Sequence, residues 1–429
     1  MRISRFIHVI KATELWDSIN KKTIKTDESL VDFVLKNKTN YNIEVFPKKL
    51  LKLGVVVSEK EELVRIKELV KKTTDNQFQS LFLIVTTNCN LDCDYCFYRS
   101  SSSESLKKRE NMTFIIAKKA IDKFYDIVSK NVITNNYWQQ ITFYGGEPLI
   151  NKKLLLKAIP YVREVFQDKY TSIVINTNLF FLDDEIIKVF KDNNVEVQFS
   201  IDGNQEQHDL HRKTIDGRGS YDTVITNAKK LIKNGVNVLP MITATDSNVE
   251  NLSDIIYQIV RKLKIDNYAV NCLITKSYNT NEKYTYTLAR EVIKAYKKLK
   301  NQANDLAFVD LYDAIMANNK EVTKNSCGST RKITVFPNGE VFACQAMEKV
   351  DINQMGNLDS DFSKNSNWKY WHQRNKFYNE ECLNCEVLAS CGGGCATGSY
   401  NGTRTIYGID YNECNYTKNV YKILTMSKK

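Results

Sequence analysis

The chain has no long apolar run. None of its hydrophobic stretches reaches the roughly 18 residues that a membrane-spanning helix needs. Its first residues, MRISRFIHVIKATELW, contain one short apolar patch that charged residues soon follow, which is unlike a secretory signal. We therefore expect a cytoplasmic protein with no membrane partner. A length of 429 residues, of which 42% are hydrophobic, predicts two or three domains.

The chain also lacks a block in which basic and aromatic residues alternate. Its net charge of +11 comes from Lys and Arg spread along the whole length. This distribution is typical of a solvated surface and is unlike a nucleic-acid patch. We expect no nucleic-acid partner, although an acidic peptide would suit such a surface.

Histidine is scarce, with four residues, whereas cysteine is abundant, with eleven. A chain without a secretory signal is expected in a reducing compartment, where disulfides are disfavoured. Ten of the eleven cysteines fall in two groups, at 89–96 and 327–414. Grouping of this kind indicates bound metal.

The middle of the chain, residues 78–275, alternates short apolar strands with amphipathic helices. Strands are predicted at 80–87, 139–145, 172–178, 195–201, 237–243 and 267–274. Strands rich in Val, Ile and Phe with helices between them predict an α/β fold with a parallel sheet. The even spacing favours a partial (β/α)6 TIM barrel over a doubly wound sheet.

The flanking regions differ from the middle. Residues 1–75 predict a small α+β, winged-helix-like domain, with β-like stretches at 5–12 and 21–27 around a turn, followed by helices and a short strand. Residues 276–325 are polar and mostly helical, as expected of a bridge. Residues 326–429 are loop-rich and hold most of the cysteines, so we expect bound metal to stabilise them.

The first cysteine group has the spacing C-x3-C-x2-C and directly follows the first predicted strand. Its members are Cys89, Cys93 and Cys96. Three thiolates can bind three irons of one [4Fe–4S] cluster and leave the fourth iron open. Zinc, the structural alternative, usually has four Cys or His ligands, and no histidine lies nearby in sequence. The spacing therefore favours a cluster.

With Tyr95 before the last cysteine and Phe97 after it, this motif resembles the signature of the radical S-adenosylmethionine (radical SAM) enzymes. The resemblance implies that the amino and carboxylate groups of S-adenosylmethionine chelate the open iron. One electron then breaks the S–C5′ bond and gives a 5′-deoxyadenosyl radical.

Further segments match the same family. The run 145–148, Gly-Gly-Glu-Pro, resembles its GGEP motif at the methionine amino group, and 200–203, Ser-Ile-Asp-Gly, resembles its ribose-binding segment. The resemblance also implies that Arg212 pairs with the methionine carboxylate and that Leu273 contacts adenine. The implied cosubstrate contacts, besides Tyr95 and Phe97, are Gly145, Gly146, Glu147, Asn178, Ser200, Asp202, Arg212 and Leu273. Most of these residues follow predicted strands, where α/β sheets bind ligands.

The second cysteine group resembles the SPASM extension of radical SAM enzymes that act on peptides and proteins. Its pattern is C-x11-G-x4-C from Cys327 to Cys344, then C-x2-C-x5-C-x3-C from Cys382 to Cys395, then Cys414. The resemblance implies two auxiliary [4Fe–4S] clusters, and therefore three clusters in all. The first would use Cys327, Cys344 and Cys395, and the second would use Cys382, Cys385, Cys391 and Cys414. The C-x2-C-x5-C-x3-C segment alone would also fit a zinc ribbon.

These ligands leave the first auxiliary cluster one thiolate short. Either Cys272, in the last predicted strand, supplies it or the fourth iron is open. A cysteine in a parallel strand is more often a small buried residue than a metal ligand. We therefore favour an open iron.

The three-part order resembles enzymes that mature ribosomally made peptides (RiPP maturases of the sactipeptide and ranthipeptide type). It implies that a Cys sulfur of a precursor peptide is joined to carbon as a thioether. Residues 1–75 would bind the leader of that peptide by adding it as a strand to a sheet edge, unless they only cover the barrel. The electron donor would be a flavodoxin or ferredoxin.

Other outcomes use the same machinery. Carbon–carbon or carbon–oxygen crosslinking of peptide side chains is one alternative, and anaerobic sulfatase-type formylglycine formation is another. Formylglycine-forming relatives carry an Asp base directly after the cysteine equivalent to Cys344. Here that residue is Gln345, which cannot act as a base near neutral pH. A structural electron carrier would not explain the GGEP-like segment or Arg212.

Overall fold

The computed structural model describes residues 1–40, 43–74, 77–96, 109–130, 138–167, 171–272, 281–300, 302–316, 321–324, 327–347 and 350–426. The chain forms two compact units. The first contains Met1–Asp75, Phe308–Cys327 and Gln373–Lys429, and the second contains Asn76–Ala307 and Gly328–His372. Among the residues described, no helix is both long and apolar enough to cross a bilayer.

The N-terminal part of the first unit combines short strands with three helices. Its strands are β1 (Arg2–Ile3), β2 (Ile7–Lys11), β3 (Glu14–Asp17), β4 (Lys22–Lys25) and β5 (Val56–Val57). Its helices are α1 (Glu28–Asn37), α2 (Lys48–Lys52) and α3 (Glu59–Thr73). Strands β2, β3 and β4 form an antiparallel sheet in that order, and β1 pairs with β5. The sequence predicted a turn where β3 lies, because ELWD is too short to show an alternating pattern.

The second unit is built on six parallel strands that follow one another in chain order. They are β6 (Ser80–Thr86), β7 (Gln139–Gly145), β8 (Thr171–Thr177), β9 (Val195–Ser200), β10 (Val238–Ala244) and β11 (Asn267–Cys272). The intervening helices are α4 (Phe114–Ser129), α5 (Lys152–Val165), α6 (Asp184–Asp192), α7 (Gln205–His211), α8 (Tyr221–Lys233) and α9 (Leu252–Leu263). Each strand pairs with the next without reversal. This is the winding of a partial barrel, since a doubly wound sheet reverses its strand order. The predicted α/β fold is confirmed.

Elements from later in the chain extend this sheet at both ends. The next elements are α10 (Glu282–Leu299), β12 (Asn304–Asp305), α11 (Leu306–Ile315), β13 (Lys332–Val335), β14 (Glu340–Phe342), β15 (Gln354–Asn357) and α12 (Ser366–His372). Strand β12 pairs with β11, and β13 pairs in parallel with β6. The last helices are α13 (Glu380–Leu383), α14 (Ala396–Thr403) and α15 (Tyr411–Met426).

The two faces of the barrel strands differ in burial. One face carries fully buried side chains such as Leu83, Phe143 and Phe199, as expected where a strand packs beneath helices. Some of the alternate positions are partly exposed and polar: Asn176 donates to Gln198 over 3.0 Å. The inner face is therefore open enough to hold a polar ligand.

In the first unit, residues from both ends of the chain share one core. Phe6 and Leu69 pack in the same buried cluster as Phe377 and Leu388. Trp16 adds a hydrogen bond of 2.9 Å from its indole to the Glu386 carbonyl. Packing thus unites parts of the predicted domains 1–75 and 326–429. The functional division into 1–75, 78–275, 276–325 and 326–429 stays a prediction.

Candidate active site

A loop that directly follows β6 carries the first cysteine group. Its thiols are Cys89, Cys93 and Cys96, all partly buried. The loop is fixed against the segment after α7, because Leu91 forms a β-bridge with Thr214 and the Asp92 N–H donates to the Lys213 carbonyl over 2.7 Å. The backbone therefore holds the three thiols at the carboxyl end of the sheet.

The thiols lie close enough to influence one another. The pKa of Cys89 is raised to about 11, mainly by burial and to a smaller extent by Cys96. The pKa of Cys93 is also raised, again mainly by burial. Metal binding at this loop must therefore displace protons.

The donor set at this loop consists of three thiols. Three thiolates can each bind a different iron of one [4Fe–4S] cluster and leave the fourth iron open. Structural zinc sites usually have four Cys or His ligands. The donor set therefore fits the predicted cluster.

Asn178, one residue beyond β8, lies beside the first thiol. Its Nδ2 is 3.7 Å from the Cys89 sulfur and 3.0 Å from the Asn90 side-chain oxygen. The Leu91 N–H also approaches the Cys89 sulfur, at 3.5 Å. Donors of this kind stabilise negative charge on sulfur.

Two glycines let the end of β7 approach the cysteine loop. The Gly146 N–H donates to the Thr86 carbonyl over 2.9 Å, and the Glu147 N–H donates to the Asn88 carbonyl over 2.7 Å. A Cβ on Gly146 would lie 2.2 Å from the Asn88 oxygen, and Gly145 has φ +150°. Only glycine fits these two positions.

The Glu147 side chain points into the protein. It is 0% exposed, and its carboxylate accepts hydrogen bonds from Thr177 Oγ1 (2.6 Å), the Asn178 N–H (2.6 Å) and the Leu149 N–H (3.0 Å). Burial raises its pKa to about 7 against the opposing effect of these donors. The structure thus gives Glu147 the role of joining the ends of β7 and β8, and its predicted contact with a cosubstrate stays a prediction.

Asp202 connects the other predicted contacts. It is 0% exposed and accepts from Arg212 Nε over 2.8 Å and from the Tyr95 hydroxyl. The Arg212 guanidinium also lies over the Tyr95 ring, 5.3 Å from its centroid. Asp202 raises the pKa of Arg212 despite burial. Asp202 therefore orients a permanently charged guanidinium beside the cysteine loop.

A relay that sequence reasoning missed fixes the backbone of Arg212. The Asp202 N–H donates to His208 Nδ1 (3.3 Å), His208 Nε2 contacts Ser220 Oγ (2.9 Å), and that hydroxyl donates to the Arg212 carbonyl (2.6 Å). Burial lowers the pKa of His208 to about 4, so the ring is neutral. The only sequence signal was the position of His208 four residues before Arg212.

The remaining residues predicted for the cosubstrate or the clusters lie at different places in the structure. Ser200 ends β9 and is partly exposed. Phe97 and Leu273 lie outside the described residues. Cys272 is paired with the fully buried Ala244, on the strand face opposite that of Thr243, whose hydroxyl approaches Arg212. Cys272 itself is partly exposed, so the choice between a strand residue and a cluster ligand stays a prediction.

The second predicted auxiliary group comes together within the first unit. Cys382, Cys391 and Cys414 line one cavity that is open to solvent. Burial raises the pKa of Cys382, and all three other thiols of the group, Cys385 included, contribute. Cys327 and Cys395 belong to the first unit and Cys344 to the second. Their predicted grouping stays a prediction.

Comparison with known families identifies the barrel. Residues 83–256 match the model of the Radical SAM superfamily. The radical SAM cyclopropyl synthase TigE of Paramaledivibacter caminithermalis is 23% identical over 82% of this chain and 74% of its own length. A cysteine-type anaerobic sulfatase-maturating enzyme of Clostridium novyi is 24% identical over 80% of this chain and 95% of its own.

Solved structures share the fold. Native anSMEcpe with bound AdoMet has a TM-score of 0.68 at 18% identity and covers 82% of this chain and 98% of its own. Streptococcus suis SuiB bound to precursor peptide SuiA has a TM-score of 0.58 at 17% identity and covers 96% of this chain and 99% of its own. The second match includes most of the N-terminal region.

Proposed function

The chain carries a radical SAM domain at residues 83–256, and we propose that it generates a radical from S-adenosylmethionine to install a thioether crosslink in a ribosomally made precursor peptide. The observation that carries the radical chemistry is the meeting of three thiols with the Gly145–Gly146 close approach and the Asp202–Arg212 pair. When bound, a [4Fe–4S] cluster supplies the electron that cleaves the S–C5′ bond.

The chain's own groups have distinct roles in this proposal. Cys89, Cys93 and Cys96 would hold the cluster and leave one iron open. Arg212, oriented by Asp202, would attract the methionine carboxylate, because a guanidinium matches a carboxylate in charge and geometry. Ser200 would meet the ribose. The bare backbone at Gly146 would leave room for the methionine amino group.

The N-terminal sheet supports a peptide substrate. In the β2–β3–β4 sheet, β2 and β4 are the outer strands, and an outer strand can pair with an extended leader segment. SuiB, crystallised with its precursor peptide, shares the fold over 96% of this chain. The thioether itself, the flavodoxin or ferredoxin donor, the count of three clusters and a cytoplasmic location are predictions.

Crosslinking through carbon is the second candidate, because TigE is by name a cyclopropyl synthase. Formylglycine formation is less well supported, although the Clostridium novyi enzyme matches 95% of its own length. Gln345 accepts a hydrogen bond of 2.6 Å from Lys332 and offers no base at the position where such enzymes have one.

The first experiment tests radical formation. Anaerobically reconstituted protein is incubated with S-adenosylmethionine and dithionite, and 5′-deoxyadenosine is quantified. We expect Cys89→Ala, Cys93→Ala and Cys96→Ala each to abolish its formation, while the matched Cys272→Ala variant retains it. Zinc in place of iron at this loop, or intact cosubstrate after strong reduction, would contradict the proposal.

The second experiment tests the peptide reaction. The short reading frames beside the gene are searched for a cysteine-containing peptide, which is incubated with enzyme and analysed by tandem mass spectrometry. Loss of two hydrogens with a Cys sulfur bonded to carbon is the expected result. Cys327→Ala and Cys414→Ala should spare cosubstrate cleavage but stop this change. Normal peptide modification by the Cys327 variant would refute the auxiliary role.

A further inference from the structure

Cationic side chains surround the second auxiliary cysteine group in the first unit. The cavity lined by Cys382, Cys391 and Cys414 is also lined by Arg374 and Lys376. Sequence motifs do not account for these cations. They line the same cavity in which the proposed function places a cluster.

Lys376 reaches into the fold among the thiols. Its ammonium donates to the Thr323 carbonyl over 2.9 Å and to the Cys391 carbonyl, whose own side chain is one of the predicted ligands. The same side chain lines the cavity that Cys382, Cys391 and Cys414 share. The ammonium is therefore held by backbone carbonyls at the wall of the predicted cluster site.

Lys418 approaches the same group from α15. It lies one helical turn after Cys414 and forms a side-chain hydrogen bond with that thiol. Residues four apart lie on the same face of a helix, so α15 holds the ammonium beside the Cys414 thiol. A second ammonium is thus directed at the predicted ligands.

The charge of a cluster explains why two lysines would be held there. A cube of four irons and four sulfides bound by four thiolates is an anion, and its reduction adds one more negative charge. Burying such charge is costly unless cations compensate it. Nearby positive charge and N–H donors stabilise the reduced form more than the oxidised form, which raises the reduction potential.

We infer that Lys376 and Lys418 are the countercharges of the second auxiliary cluster and make that site easier to reduce. When a carbon radical joins a thiolate, one electron is left over, and the two ammonium groups favour its transfer to this site. The inference rests on the proposed function, since it requires a cluster on these four cysteines.

The test is an EPR-monitored redox titration of the full-length chain. The reference protein carries Cys89→Ala, Cys93→Ala and Cys96→Ala, which removes the signal of the first group. In this background, Lys376→Met and Lys418→Gln should lower the midpoint potential. The reduced fraction at a fixed potential should fall about tenfold, which for a one-electron couple is about 59 mV.

Two further variants are the controls. Lys418→Arg keeps the charge and should restore the reference potential. Lys422→Gln removes an exposed lysine one turn further along α15 and should leave the potential unchanged.

The outcomes separate this inference from the proposed function. Retained iron with an unchanged potential in both Lys376→Met and Lys418→Gln would overturn the inference alone. Zinc or no metal on the C-terminal cysteines of the reference protein would overturn the inference together with the auxiliary clusters. The radical chemistry is tested separately, by formation of 5′-deoxyadenosine in protein that keeps Cys89, Cys93 and Cys96. If Lys376→Met loses iron, the midpoint potentials of Lys418→Gln and Lys418→Arg are compared. A lower potential in Lys418→Gln supports the inference, and equal potentials overturn it.

Discussion

Asp202 shows how one buried carboxylate organises the candidate active site. Its two oxygens accept from the Arg212 guanidinium, the Tyr95 hydroxyl and the Thr243 N–H. A charge at 0% exposure is tolerated only when it is paired and hydrogen-bonded. Removing one partner of such a pair leaves the other charge buried and uncompensated.

We therefore expect Asp202→Ala to lower the free energy of unfolding by about 3 kcal/mol. Formation of 5′-deoxyadenosine should also fall, because Arg212 loses its orientation. Denaturation in urea under anaerobic conditions measures the first effect. The control is Asp216→Ala, which removes an exposed ion pair with Arg218 and should leave stability unchanged. Equal stabilities of the two variants would refute the role given to Asp202.

Glu147 predicts a pH dependence. Its pKa is raised from 4.5 to about 7 in the folded protein, so the folded state binds more protons than the unfolded state between these values. Its contribution to stability is therefore fully present below pH 4.5 and is lost as pH rises through 7. The slope is at most about 1.4 kcal/mol per pH unit. Glu413 also has a pKa raised to about 7, so the variant keeps that part of the slope. Urea denaturation across this range should show a steeper slope in the wild type than in Glu147→Gln.

At the scale of elements, the carboxyl ends of β6 and β7 determine where the cysteine loop lies. The backbone hydrogen bonds from Gly146 and Glu147 to Thr86 and Asn88 leave no room for a side chain. The strand ends and the loop are thus one rigid connection.

Gly146→Ala should break this connection, because its Cβ would lie 2.2 Å from the Asn88 carbonyl oxygen. A displacement of the loop by about 1 Å can reduce the rate about 100-fold. The measurement is the rate of 5′-deoxyadenosine formation at equal iron content. Gly328→Ala is the control, since its Cβ would meet nothing within 4 Å and Gly328 does not have a positive φ. Similar rates for both variants would show that the close approach is unimportant.

The hydrophobic pattern of the sequence predicted the longer elements and missed a short one. Five of the six barrel strands were predicted to within one residue, because each is a buried β-rich run bounded by polar turns. The sixth was predicted to end at 274, and the structure describes it as far as Cys272. A helix was predicted after the second β-like stretch, and α1 begins there with Asp27 accepting from the Leu30 N–H as its N-cap. Strand β3 was missed, since four residues carry too few alternations to detect.

At the scale of the whole molecule, the N-terminal region and the C-terminal cysteine loops belong to one unit. Arg5 illustrates this packing: it pairs with Glu62 at 2.9 Å and with Glu380 at 2.7 Å. The C-terminal loops contain little regular structure between α13 and α14, so bound metal should contribute much of their stability.

Removal of iron by a chelator should therefore open residues 373–426 more than strands β8 to β10. Hydrogen exchange followed by mass spectrometry measures this difference in amide protection. We expect peptides from 380–414 to lose most of their protection, while peptides from 171–244 keep theirs. Uniform loss along the chain would contradict a local stabilising role for the metal.

Local sequence was sufficient for the cysteine spacings, the barrel strands and the motifs at their carboxyl ends, because each depends on residues close together in the chain. Tertiary structure was needed for the burial of Glu147, the Asp202–Arg212–Tyr95 network and the lysines around the C-terminal thiols. These depend on contacts between distant segments, whose partners and burial no short-range pattern encodes. The chain order of the motifs thus indicated which residues lie at one end of the sheet, and the folded chain determined which charged groups pair there.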